Sequence, residues 1–130
     1  KGNKYIITAA SGEIDNNNSD VIFLNDVKSK IILKNSNNIT IESDYGKYNT
    51  VNYDTIFSES VILNYLDNQI TGEYLDFSIL RNTMIISRNV TYANEKNILK
   101  ADVIEVEIDT KDAKIFMYEE TKKVKIESKD

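Results

Sequence analysis

Thr55-Ile56-Phe57-Ser58-Glu59-Ser60-Val61 has two counterparts in the chain, Val21-Ile22-Phe23-Leu24-Asn25-Asp26-Val27 and Met84-Ile85-Ile86-Ser87-Arg88-Asn89-Val90. Their valines are 34 and 29 residues apart. Ahead of these stretches runs a second repeated segment: Ile7-Thr8-Ala9 to Asp15, Ile41-Glu42-Ser43 to Asn49, Ile70-Thr71-Gly72 to Ser78, and Leu99-Lys100-Ala101 to Asp109. Its middle residues Thr8, Glu42, Thr71 and Lys100 recur at 34, 29 and 29 residues. Five residues beyond each small residue stands another apolar or aromatic one: Ile14, Tyr48, Phe77, Val106. In alternating geometry an odd step changes face, so each segment is expected to contain a bulge or a corner. A degenerate fourth partner runs from Lys114 through Tyr118 and continues at Val124-Lys125-Ile126. A two-strand unit cannot bury its own apolar face, so the four units must share one interior.

Composition agrees with strands. Of 130 residues, 19 are Ile, 8 Val and 9 Thr, with 8 Tyr and 4 Phe, against only 5 Ala and 7 Leu. Branched and aromatic side chains pack well on a pleated surface. Sixteen Asn and no Pro leave turns to Asn, Asp and four glycines. The Asp15–Asp20, Leu66–Gln69 and Asp109–Asp112 links read as hairpin turns. Ile98 to Asp109 fits a bent strand better than a helix. No linker or composition break divides the chain, so residues 1–130 form a single all-β domain of a dozen or more short strands.

Absent residues narrow the chemistry. Without Cys or His there is no disulfide, no Cys or His metal site, no thiol nucleophile and no imidazole acid–base pair. A net charge of −5 argues against nucleic acid. Glu59, Glu73, Asp76, Asp102, Glu105 and Glu107 could pair as in a glycosidase, but their alternation with Ile and Val places most of them on the solvent face. Asp15-Asn16-Asn17-Asn18-Ser19-Asp20 lacks the glycine and distal Glu of a calcium loop and reads as an Asx-rich turn. Lys122, Lys123, Lys125 and Lys129 suit a guarded sheet edge or an anionic partner. No catalytic residue, metal ligand or cofactor is assigned.

What remains is an apolar stripe. Phe23, Val27, Phe57, Val61, Leu63, Ile86, Val90 and Phe116 are expected to face Ile7, Ile41, Ile70, Leu75, Phe77, Leu99 and Ile104. It is either a filled core or an interior partly open to an apolar ligand.

These repeats resemble the OstA-like domains of lipopolysaccharide transport, over about Gly2 to Ser128. Those domains usually carry Gly-Asn before the valine; here Asn25-Asp26, Glu59-Ser60 and Arg88-Asn89 stand there, and the glycine is missing. The opening Gly2-Asn3-Lys4-Tyr5-Ile6-Ile7-Thr8-Ala9 resembles the start of the LptC periplasmic domain, and Leu99 to Ile108 also fits. The resemblance implies an open, twisted antiparallel β-jellyroll that is not an enzyme. It implies a periplasmic domain tethered to the inner membrane, which takes lipopolysaccharide from the inner-membrane ABC exporter and passes it to LptA. The start at Lys1, without Met, is read as a fragment lacking its upstream anchor. Acyl chains would lie along Phe23, Val27, Ile41, Phe57, Val61, Leu63, Ile70, Leu75, Phe77, Ile86, Val90, Ile104 and Phe116, with Phe57 and Phe77 the foremost positions. The N-terminal edge (Tyr5, Ile7, Ala9) would face the exporter. The C-terminal edge (Val124, Ile126, Ser128) would pair with LptA. Alternatives are an LptA-like soluble bridge, a structural β module with a dry core and a two-carboxylate carbohydrate enzyme.

Overall fold

The computed structural model describes residues 2–34, 36–116 and, by their backbone, 125–128. Every regular element among them is a strand: β1 (Lys4–Asp15), β2 (Asn18–Ile32), β3 (Ile39–Asn49), β4 (Thr55–Tyr65), β5 (Asn68–Ser78), β6 (Thr83–Ala93), β7 (Asn97–Glu107), β8 (Ala113–Phe116) and β9 (Lys125–Ser128). All pairings are antiparallel, in the order β1-β2-β3-β4-β5-β6-β7-β8, and β9 also pairs with β7. The meander stays open, with β1 at one edge. The four sequence units are β1–β2, β3–β4, β5–β6, and β7 with the split pair β8 and β9. The 98–109 stretch is strand, as expected.

The strands are fewer and longer than expected, because each runs through its corner without stopping. Inward residues in β1, β2, β3, β5 and β7 make a three-residue step there (9 to 12, 24 to 27, 43 to 46, 72 to 75, 101 to 104). In β4 and β6 the step is four residues (57 to 61, 86 to 90), because each carries one extra residue relative to both neighbours. The extra residue fits because the backbone turns left-handed at Glu59 (φ 66°), Ser60 (φ 54°), Arg88 (φ 69°) and Asn89 (φ 54°). In β2 only Asp26 does so, at φ 54°. These are the positions at which the sequence lacks the resembled family's Gly-Asn.

The corners fold the sheet into two facing layers. In the first layer one cross-strand row reads Ile7, Ser29, Ile41, Leu63, Ile70, Tyr92, Leu99. In the second layer a row reads Leu24, Gly46, Phe57, Leu75, Ile86, Ile104, Ile115. Residues of both rows join one buried apolar cluster. The rings of Tyr5 and Phe77, one from each layer, lie 5.4 Å apart. Gly72 is needed where the layers meet, since a Cβ there would sit 2.8 Å from Ile86 Cγ2. Asparagine makes the turns: Asn49 Oδ1 accepts from Val51 N at 2.8 Å and Asn94 Oδ1 from Lys96 N at 2.9 Å.

Candidate functional site

Among the described residues the interior is closed in the middle and opens toward the β1 side and at a second, smaller place. Ile31, Ile41, Phe57, Leu75, Met84 and Ile86 have no solvent exposure, so the centre is a packed core. Toward the β1 side the layers part into a cleft of about 470 Å³. Its first-layer wall is Tyr5, Ile7, Thr8 and Ala9; its second-layer wall is Leu24, Tyr48, Thr55, Phe77 and Ile79. A smaller opening of about 140 Å³ lies between Ile39, Leu63, Tyr65 and Ile70 on one side and Met84, Val106 and Ala113 on the other.

Tyr53 stands at the mouth of the larger cleft. Its loop is tied down by Asn49 N donating to Asp54 O (3.0 Å), Tyr53 N to Asn49 O (2.8 Å) and Thr50 N to Asp20 O (2.8 Å). The left-handed backbone of Tyr53 (φ 66°) leaves its half-exposed ring 6.5 Å from that of Tyr48. Desolvation by burial, with Tyr53 adding to it, pushes the Tyr48 hydroxyl above the usual tyrosine range. The cleft therefore offers apolar walls and neutral hydroxyls, which suits an apolar chain better than an ion. Among the described residues no three metal-ligating side chains gather together.

Of the residues expected to line the interior, Phe77 walls the larger cleft and Leu63 and Ile70 the smaller. Val27, Ile41, Phe57, Val61, Leu75, Ile86, Val90 and Ile104 are sealed in the core. Phe23 and Phe116 are corrections: both sit on the outer face, 43% and 45% exposed. Phe23 occupies the position four before the valine that Phe57 holds, but the β2 corner is one residue shorter, so Leu24 turns inward instead. Phe116 pairs with Val103, while Ile115 lies opposite inward-facing Ile104.

Tyr5, Ile7 and Ala9, expected as a docking edge, belong to the edge strand and also wall the cleft. At the other end, Ile126 pairs by its backbone with Leu99 and Ser128 with Asn97; Val124 lies outside the described residues. Sequence reasoning missed Leu24, Tyr53 and Ile79. An available signal for Tyr53 was an aromatic inside the short loop Thr50-Val51-Asn52-Tyr53-Asp54.

No family model and no curated protein matches the chain. A solved structure does. The fold is similar to that of LptH, described as the LptA-homologous periplasmic component of the conserved lipopolysaccharide transport device from Pseudomonas aeruginosa. The TM-score is 0.68 at 10% identity, over 96% of this chain and 93% of that one. The open β-jellyroll that the resemblance implied is thereby shared with a solved structure.

Proposed function

We propose that this chain is a lipopolysaccharide-binding module of a periplasmic transport bridge. The observation that carries the reading is a two-layered apolar interior that opens into a cleft beside an unpaired edge strand, in a fold shared with LptH. An acyl chain enters between Tyr53 and Ile79 and packs on Phe77 and Leu24, while sugars stay in water. Each methylene removed from water contributes about 0.8 kcal/mol, so even a short length of chain is held. Because β1 forms both the edge and a wall of the cleft, a neighbour pairing with β1 would extend the apolar surface, and cargo could pass without crossing water.

Two placements in such a bridge are compatible with this surface. The likeness of Gly2–Ala9 to the LptC opening favours an inner-membrane-tethered subunit that receives lipopolysaccharide from the ABC exporter at the β1 edge and hands it to LptA at the β8/β9 edge. The likeness to LptH favours an LptA-like soluble bridge subunit. The direct discrimination is whether purified LptA binds and which edge it needs.

A structural module is the second reading, supported by the sealed centre of the core. Size-exclusion chromatography with intact lipopolysaccharide and with its delipidated polysaccharide separates the two. Carriage requires comigration with the intact molecule only, and at least about tenfold weaker retention for Ala9→Trp, which fills the cleft. No retention of either molecule by the folded protein leaves the structural reading.

A further inference from the structure

The outer faces of the two layers differ. Over the first layer Lys28, Lys30, Thr40, Glu42, Asn64 and Thr71 stand beside Ile6, Ile62 and Ile98, with no aromatic residue in these rows. Over the second layer, one cross-strand row reads Glu13, Phe23, Lys47, Ile56, Asp76, Ile85, Glu105. The adjacent outward row reads Ser11, Asn25, Tyr45, Ser58, Tyr74, Ser87, Val103, of which Val103 is buried. Phe23 and Tyr45 are 43% and 48% exposed, and Arg88 stacks 5.3 Å from the Tyr74 ring centre. Lys47 and Asp76 have no opposite charge directly across the strands, since Lys47 lies between Phe23 and Ile56 and Asp76 between Ile56 and Ile85, whereas Glu105 faces Lys114 of β8.

We propose that this face is the interface of a weak two-fold dimer of the chain, with β4 of each copy on the axis. A two-fold axis parallel to the strands reverses strand order and keeps each row in register. With β4 on the axis, Ile56 meets Ile56, Phe23 meets Ile85, Tyr45 meets Tyr74, and Lys47 meets Asp76 twice. Neighbouring registers fail on charge: an axis on β3 sets Lys47 against Lys47, and one on β5 sets Asp76 against Asp76. The β4 register has one like-charge contact, Glu13 with Glu105, and it falls at the rim.

Strand spacing makes the seven-strand overlap about 29 Å wide and about 14 Å long, or about 400 Å² per copy. Twice that area lies below the roughly 1,000 Å² of a stable interface, so the dimer forms only at high concentration. This association is independent of lipid carriage.

Sedimentation equilibrium on the folded chain tests it. The mass is expected to rise from 14.9 kDa toward twice that value as concentration approaches about 1 mM, where even a millimolar dimer is half formed. Ile56→Glu, on the surface, should remain monomeric. Lys47→Asp should weaken association about tenfold through its two like-charge contacts, and adding Asp76→Lys should restore it. A monomer at every concentration, an Ile56→Glu protein that still dimerises, or a double variant no stronger than Lys47→Asp overturns the proposal.

Discussion

Glu59 and Arg88 occupy backbone that glycine adopts freely and that L-residues with long side chains disfavour. Such a residue costs about 1–2 kcal/mol. Glu59→Gly and Arg88→Gly are each expected to stabilise the fold by about 1 kcal/mol, less the entropy that glycine adds to the unfolded chain. Glu59→Val, with a branched Cβ in the same conformation, should do the opposite; urea denaturation reads all three. The phenylalanines at the two equivalent positions, buried Phe57 and exposed Phe23, test parity in the same way. Phe57→Ala should lose about 3–5 kcal/mol, and Phe23→Ala less than about 1 kcal/mol. If the two losses are equal, the inward register of β2 is wrong. The sequence showed that an apolar pair flanks each corner, but not which member faces in. That depends on one inserted residue in β4 and β6, and the repeat Val-Ile-Phe-Leu looks the same with or without it.

The corners were the most legible elements. An odd step from Ala9 to Ile14, Ser43 to Tyr48, Gly72 to Phe77 and Ala101 to Val106 demanded a change of face, and each strand turns between those residues. Strand number was not legible, because a corner interrupts alternation just as a turn does while the backbone ladder continues. The clefts were also hidden: they depend on where two layers, far apart in sequence, fail to meet. The last element is split, with β8 pairing with the second-layer part of β7 and β9 with its first-layer part. Ile126 pairs with Leu99, so Ile126→Pro removes an N–H from this edge. The variant is expected to keep its thermal midpoint within a few degrees and its lipid binding, and to lose binding to purified LptA. Full LptA binding by the folded variant places the docking edge elsewhere.

At the scale of the whole molecule, the proposed function divides the interior between a filled centre that gives stability and an open flank that would carry the lipid. Core residues such as Ile41 and Leu75 hold the layers together, whereas Tyr48, Tyr53 and Ile79 leave room between them. Gly72→Ala tests the first role: its methyl group would crowd Ile86 and should destabilise the protein by about 1–3 kcal/mol, with lipid affinity unchanged at temperatures where it stays folded. The central claim is that an acyl chain of lipopolysaccharide lies in the cleft. Photo-crosslinking tests it most directly, with a photoreactive residue at Ile79 on the cleft wall or at Phe23 on the outer face, in protein loaded with lipopolysaccharide. The account predicts strong capture from position 79 and none above background from position 23. Equal capture from both positions, or none from position 79, would contradict it.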